Sequence, residues 1–392
     1  MLSRQIPLLN ASTMSVEIKK VETKKDLKKF IEFHYSLYKG NKYDAPNLYS
    51  EEVKTLSKDK NSAFKFCEAE YYLAYKDGQL VGRVAAIINH KANQRWNHQR
   101  VRFGWIDFVD DIEVSRALLD AVADYGRSKG MDEMVGPLGF TDMDPEGMLM
   151  EGFDELGTMA TIYNYPYYIK HMEQLGGFEK DNDYVEYKLF VPSEVPEKFA
   201  KIADMIQRRY NLRVKGLTKK EVYEGGYGRK LFEVLNEAMK DLYEYSELSD
   251  EQIDEYVRMY MPALDLDIVA IIEDGNTGKV VGAGVCVLSL TRALQKCRKG
   301  RLWPFGWWHI LKVIKFHKSD IVDLLLIGVL PEYRSKGANA LLFSYLIPRF
   351  YRMGVKWGET HVEMETNGKV QSQWQHLNHE LHKRRRCYKK KI

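Results

Sequence analysis

The chain has 392 residues, 45% of them hydrophobic and 29% charged, enough apolar material for one large core or, better, two of ordinary size. A net charge of +4 does not by itself argue for nucleic acid, and the excess is local, in residues 296–318 and 383–391. Cys67, Cys286, Cys297 and Cys387 are scattered and form no CxxC or Cys/His cluster, so neither a disulfide framework nor a zinc site is indicated, and a cytoplasmic location is expected. The first fourteen residues hold a single arginine and no sustained apolar stretch, which is not a secretory signal, and Met14 can serve as an alternative start. The longest apolar run, 321–330, is about half of the ~20 residues a membrane span needs.

In chain order, residues 24–39 have helical spacing (Leu27, Phe30, Ile31, His34), and 71–75 and 80–89 read as strands joined by the turn Lys76-Asp77-Gly78. A strand follows at 102–109, a helix at 114–128 stopped by Gly130, a strand at 133–136, and a helix at 167–175 stopped by Gly176-Gly177. A strand at 184–190 closes the unit. After Pro192 and Pro196 the order repeats: helix 228–245, strand 267–273, the turn Asn276-Thr277-Gly278, strand 279–288, an insertion at 289–318, strand 321–329, helix 337–353, strand 359–364, helix 370–382 and a last basic strand. The expected fold class is α/β with a mixed sheet, in two tandem units, 14–192 and 196–392, packed as a pseudo-repeat. Spacing alone leaves any repeated α/β unit open.

The second unit carries the segment most specific for chemistry. Asp323-Leu-Leu-Leu-Ile-Gly-Val-Leu-Pro-Glu-Tyr-Arg-Ser-Lys-Gly-Ala-Asn joins an apolar strand to a helix through a glycine turn. Successive N–H groups at such a turn form an anion nest, and the helix N-terminus adds roughly half a positive charge. Arg334 and Lys336 can add direct charge, and Gly337 lets the backbone approach a pyrophosphate.

This segment resembles the acyl-CoA signature of the GNAT (N-acetyltransferase) superfamily, with Asn339 standing where Gly or Ala is usual. The resemblance implies that Ile327, Gly328, Val329, Arg334, Ser335, Lys336, Gly337, Ala338 and Asn339 hold acyl-CoA. It also implies that Gly328 marks a bulge splaying two strands for the pantetheine arm, so that N–H groups near Val329 face the thioester oxyanion. The segment 167–178 resembles the later GNAT helix that ends in Leu-Gly-Phe, and 136–153 resembles a bacterial tandem-GNAT group of YghO type. The first unit has no such turn: Asp110 and Asp111 follow its strand and would repel a phosphate, so it is expected to shape the acceptor site and the second unit to bind acyl-CoA.

Glu363 and Glu365, with His361 two positions before, share one face of the strand next to the CoA strand and are the candidates for handling the amine proton. GNAT enzymes often use a late tyrosine as thiolate acid; here Trp374 occupies roughly that region, with His376, His379 and Tyr388 as weak substitutes. The acidic loop 142–155 can bind an amine with an apolar tail, or be ordinary surface. No metal is called for.

The insertion, Trp303 to Lys318, read as a helix from Trp307, puts Trp307, Ile310, Leu311, Val313 and Ile314 on one arc and His309, Lys312 and Lys315 on the other. That pattern suits a helix lying at the inner face of a membrane, and equally a core-packed helix. The expected function is acyl transfer from acyl-CoA to an amine, a lipid amine such as a sphingoid base under the membrane reading. A soluble small-amine or protein acetyltransferase and a non-enzymatic acyl-CoA or lipid binder stand as alternatives. Nucleic-acid binding through Arg384-Arg385-Arg386 ranks last, because aromatic stacking positions in a recognisable module are missing.

Overall fold

The computed structural model describes residues 15–261, 264–334 and 336–392, so Ser335 and the start of the chain up to Met14 lie outside the described residues. In the first half β1 (Glu17–Lys20), α1 (Lys24–Leu37), α2 (Tyr49–Leu56), β2 (Cys67–Lys76), β3 (Gln79–Asn89), α3 (His90–Trp96), β4 (Arg100–Phe108) and α4 (Ile112–Ser128) come first. They are followed by β5 (Glu133–Gly136), β6 (Met148–Glu151), α5 (Tyr167–Leu175) and β7 (Glu179–Phe190). The second half runs α6 (Glu197–Tyr210), β8 (Leu212–Gly216), α7 (Lys219–Tyr223), α8 (Tyr227–Met239), α9 (Asp250–Tyr260), β9 (Val269–Asp274), β10 (Val280–Leu288), α10 (Thr291–Leu294) and α11 (Gly306–Phe316). Then come β11 (Ile321–Val329), α12 (Pro331–Arg334), α13 (Asn339–Arg352), β12 (Trp357–Thr360), β13 (Glu363–Met364), α14 (Gly368–Gln371) and β14 (His379–Lys391).

Local chemistry explains the boundaries. Asp77 and Gly78 both have positive φ, 54° and 74°, which closes the β2–β3 hairpin with the strand twist in the right sense. The Asp111 side chain accepts from Glu113 N–H at the start of α4, whose Val114, Leu118 and Val122 are fully buried against the sheet. Ser249 and Gln252 form a reciprocal capping box at the start of α9.

The strands make one mixed sheet in the order β1-β2-β3-β4-β5-β14-β7-β12-β11-β10-β9-β8, with β6 on β14 and β13 on β7. The parallel pairs are β4·β5 and β11·β12, at equivalent places in the two halves. The mixed α/β class and the repeat are therefore present, but the last strands are exchanged. β7 does not close the first half; it pairs with β12 of the second, and β14, the last strand of the second half, pairs with β5 and β6 of the first.

β14 also replaces most of the expected helix 370–382, which is reduced to α14 and a single 3₁₀ turn at Trp374–His376. The reason is buried charge. Lys383 and Arg385 are 1% exposed and face the completely buried Glu186 and Glu359, where Arg385 Nε donates to Glu186 and Lys383 Nζ to Glu359 at 2.7 Å. Arg384 and Arg386 alternate to the outside, on Glu365 and Asp183, so the basic run is a strand held by ion pairs on both faces. Removing one partner of a buried pair leaves an uncompensated charge, so Arg385→Met is expected to destabilise the protein by about 3–5 kcal/mol. Arg384→Met, on an exposed pair, is expected to cost no more than about 1 kcal/mol, and denaturant unfolding measures both.

Candidate functional site

β11 and β12 pair in parallel from Ile321↔Trp357 to Leu324↔Thr360 and then part. After His361 and Val362 the chain rejoins the sheet on β7, as Glu363↔Val185 and Met364↔Tyr184. Beyond Leu324, β11 therefore has β10 on one side and, among the described residues, no strand on the other, and Leu325, Leu326 and Ile327 are half-buried where Ile321 to Leu324 are buried. The β10 ladder passes from Leu324 to Leu326, making Leu325 the bulged residue.

Two expectations shift accordingly. Gly328 is not the bulge: it lies in regular register with Ala283, and its missing Cβ makes room for α8, since a Cβ there would stand 2.9 Å from Leu235 Cδ2 and 3.0 Å from Ala238 Cβ. Val329 is buried opposite Gly282, four positions past the bulge, so the backbone freed by the splay belongs to Leu325–Ile327 instead.

At the end of β11 the chain forms α12, turns through Gly337 at φ +80°, and enters α13, with Ala338 buried at the cap and Asn339 as the first helical residue. The turn is braced from three directions. Arg334 Nε donates to Val329 O at 2.9 Å and its Nη2 to Ala238 O, Lys336 Nζ lies over the Tyr333 and Tyr210 rings at 4.1 and 5.1 Å, and Asn339 Nδ2 donates to Gln373 Oε1 at 2.9 Å. Arg334 remains exposed, so the turn offers a helix N-terminus with a guanidinium and an ammonium beside it, as an anionic group requires.

The three residues expected on one face are in three different states. Glu365 is an exposed surface anion, ion-paired to Lys180 at 2.9 Å and to Arg384, and those hydrogen bonds hold its pKa below the usual carboxylate range. His361 is driven down to about 4 by burial; Val362 N–H donates to its Nδ1 at 2.7 Å, which leaves the ring neutral with its proton on Nε2. Glu363 is pushed up to about 7 by burial, and its carboxyl accepts from Trp374 Nε1 at 3.0 and 3.2 Å. Of these three, only Glu363 titrates near neutrality.

Trp374 is buried against Phe343 of α13 as well as Glu363, which ties the turn helix to the carboxyl. The substitute acids lie elsewhere: Tyr388 is buried in the first-half core with its hydroxyl on Met150 Sδ, and His379 bonds Leu377 O. Sequence reasoning missed Tyr187. It comes from β7, packs on the second-half core with its hydroxyl 3.5 Å from Gln371 Oε1, and stays protonated above the ordinary tyrosine range through burial and then the Glu363 charge. Only the strand exchange brings it here, so no linear signal could have found it.

The first half has the same splay point but keeps it shut. β4 bulges at Trp105 (φ +45°), and its pairing with β5 ends at Arg102↔Val135. Beyond that, Leu138 N–H donates to Phe103 O at 3.0 Å, and a Cβ on Gly104 would stand 2.5 Å from Leu138 O. At the position of the phosphate turn Asp111 pairs with Lys76 at 2.7 Å and Asp110 with His171 at 3.0 Å. The acidic loop divides: Asp144 Oδ2 accepts from Phe140 and Thr141 N–H, Asp142 reaches Ser246 N–H of the second half at 3.0 Å, and Glu155 pairs with Lys188 and His382. Burial pushes Asp142 up to about 7 and Glu146 to about 8, so these two acids carry only part of their charge near neutral pH.

In the insertion, residues 298–301 grip the first half through Lys299 and Arg301 on Glu32, both at 2.9 Å. α11 turns Val313 and Ile310 inward, while Trp307, Trp308, Lys312, Lys315 and Phe316 share the outer face, so tryptophans and lysines are not on opposite arcs as expected. Exposures of 79% for Trp303 and 74% for Phe305 extend this patch. Among the described residues no helix is long and apolar enough to cross a membrane, and no group of His, Cys, Asp and Glu could hold a metal ion.

Glu363 yields a direct test. Its folded pKa lies above the ordinary 4.5, so its contribution to stability is present below that value and is lost as pH rises through about 7. Because Trp374 donates to it, Trp374 fluorescence is expected to titrate with a midpoint near 7, and Glu363→Gln is expected to abolish the transition while gaining stability relative to the native chain above that midpoint.

No family model matches the chain. Two curated relatives align along nearly all of it: Protein YghO of Escherichia coli, 26% identical over 94% of each chain, and the Bacterial ceramide synthase of Caulobacter vibrioides, 24% identical over 88% of each. A tandem GNAT protein from the clavulanic acid biosynthesis pathway superposes with a TM-score of 0.56 at 13% identity, covering 96% of this chain and 98% of its own. A GCN5-related N-acetyltransferase from Sphaerobacter thermophilus gives 0.52 at 12%, covering 96% and 95%. With its parallel pairs splayed at equivalent places in two halves, and with these neighbours along its whole length, the chain has the fold of a tandem GNAT acyltransferase.

Proposed function

We propose that the chain transfers an acyl group from an acyl-CoA thioester to an amine at the β11–β12 opening, with the second half, 196–392, holding the acyl-CoA and the first, 14–192, shaping the acceptor side. The observation that carries this reading is the combination, in one half only, of an open splay, the Gly337 turn with Arg334 and Lys336, and a carboxyl at Glu363 that titrates near 7. The turn, from Arg334 to Asn339, would hold the pyrophosphate, and the Leu325–Ile327 backbone the pantetheine arm and the thioester oxygen. The co-substrate supplies the activated acyl group; the chain supplies position and protons. Glu363, ionised at about half occupancy near its pKa, takes the proton as the amine attacks the thioester carbonyl. Tyr187, held protonated by burial and then by the Glu363 charge, is the donor for the departing thiolate.

Release of free thiol from acyl-CoA in the presence of an amine tests this. Glu363→Gln is expected to lower turnover by ~10²-fold or more, the usual scale for a general base, while Glu365→Gln leaves it nearly unchanged. Loss of activity only in Glu365→Gln would move the base to the surface, and absence of thiol release from the wild type would leave an acyl-CoA-binding protein without transfer.

The outer face of the insertion favours a lipid amine as acceptor. Trp303, Phe305, Trp307, Trp308 and Phe316 form an exposed aromatic patch with Lys312, whose ammonium lies 5.2 Å over the Trp308 ring, and Lys315, and single-chain soluble proteins rarely leave such a patch bare. The relative named as a ceramide synthase supports the same direction, toward a sphingoid-type base at the inner face of the membrane. In vesicle sedimentation Lys312→Glu with Lys315→Glu is expected to weaken binding to anionic vesicles by about 1 kcal/mol per lysine at low salt, and Trp307→Ser with Trp308→Ser to weaken it at high salt too. Wild type that stays in the supernatant at low salt would leave a soluble amine as acceptor.

A further inference from the structure

The first half contains a cavity of about 80 Å³ that the acyl-transfer reading does not use, lined by α1, α2, the β4 bulge and the chain that shuts the splay. A single water needs roughly 10–15 Å³ on this kind of measure, so there is room for a group of several heavy atoms. Five acidic or basic side chains face it: His34, Arg83, Asp44, Asp107 and Glu52.

Four of them neutralise one another. His34 places Nε2 3.2 Å from Asp44 and Nδ1 3.2 Å from Asp107. Burial alone would lower its pKa, but the two aspartates outweigh burial and raise it to about 10, so the ring is a cation throughout the neutral range. Arg83 gives its remaining charge to Asp107 at 2.7 Å and a further N–H to Phe30 O. Two cations thus meet two aspartates. Glu52 is left over: it is 8% exposed, and its oxygens accept only from the neutral groups Asn47 Nδ2 at 2.8 Å and Trp105 Nε1 at 2.9 Å. Among the described residues no lysine, arginine or histidine forms an ion pair with it. Lys299 and Arg301, the nearby cations of the insertion, are engaged by Glu32. A buried carboxylate facing a cavity is costly without a counter-charge.

We infer that this cavity is a binding site for a small organic ammonium group, whose charge completes the pairing of Glu52 and whose carbon atoms contact Trp105. The cavity suits this ligand chemically, because the Trp105 indole and the Ile31, Ile106 and Ile162 side chains supply apolar wall and Glu52 supplies the single uncompensated charge. An inorganic cation is a poorer fit, since both Glu52 oxygens are already hydrogen-bonded and the remaining carboxylates are spent on His34 and Arg83. The site stands apart from the β11–β12 opening and does not depend on the proposed reaction.

Ligand-detected NMR on the full chain with ethanolamine as probe tests the inference. The expected result is saturable binding of ethanolamine, no comparable binding of the neutral isostere ethylene glycol, insensitivity to potassium chloride at the same concentration beyond ionic-strength effects, and a loss of ten-fold or more in affinity in Glu52→Gln. Ethylene glycol binding as well as ethanolamine would overturn it using wild-type protein alone, so the test survives a Glu52→Gln chain that fails to fold. A folded Glu52→Gln that binds ethanolamine normally would also overturn it. Saturating coenzyme A is expected to leave the ethanolamine affinity unchanged; competition between them would place the amine in the β11–β12 opening and refute the separate site, while leaving the acyl-transfer reading intact.

Discussion

The pairing of β14 with β7 is the constraint on which the rest of the molecule depends. It sits at the middle of the sheet, where each half has given its last strand to the other, and it is held by charges that cannot escape to water: Arg385 on Glu186, and Lys383 between Glu359 and Leu156 O. Ion pairs buried this deeply are expensive to desolvate and contribute more to register than to net stability. A slip of one residue would turn Arg384 and Arg386 inward and carry Lys383, Arg385 and the completely buried Cys387 to the outer face, so the alignment of the two halves is strongly specified.

That alignment sets up the opening in the second half. β7 holds β13 away from β11 after Thr360, so the splay is built by a strand from the other half, and Tyr187 arrives with it. In the first half the equivalent place is closed by a close backbone approach that Gly104 permits, because any Cβ there would collide with the Leu138 carbonyl. The same scaffold therefore yields one gap that stays open between β11 and β12 and one that has become a small charged cavity. The entrances differ as well: a glycine turn with Arg334 and Lys336 in one half, Asp110 and Asp111 already paired to His171 and Lys76 in the other.

The insertion links these two environments. Thr291 Oγ1 donates to Gly157 O and Gln295 Nε2 to Asp44 O, at 2.8 Å each, and Gly300 fits under Asn47 because a side chain there would strike its carbonyl at 2.5 Å. With its root held on the first half and Val313 packed on the second-half core, α11 is anchored at both ends, and that placement leaves its aromatic and basic side chains facing outward.

The sequence by itself determined the repeat, most strands and helices, and the turn leading into α13, because hydrophobic periodicity, glycine stops and a strand–glycine-turn–helix pattern are all local signals. It also offered candidates for the proposed proton transfer in one short segment, since alternation put His361, Glu363 and Glu365 together. Only the tertiary structure distinguishes their states, because pKa is set by surroundings: Glu363 lies under Trp374, Glu365 lies between Lys180 and Arg384 in water, and His361 is half-buried and neutral. The bulge at Leu325 rather than Gly328 was equally hidden, since a strand glycine marks either a bulge or a close neighbour, and here the neighbour is α8. The strand exchange left no trace in the linear pattern, because Lys383 and Arg385 read as surface charge until the buried carboxylates that meet them, from strands distant in sequence, are known.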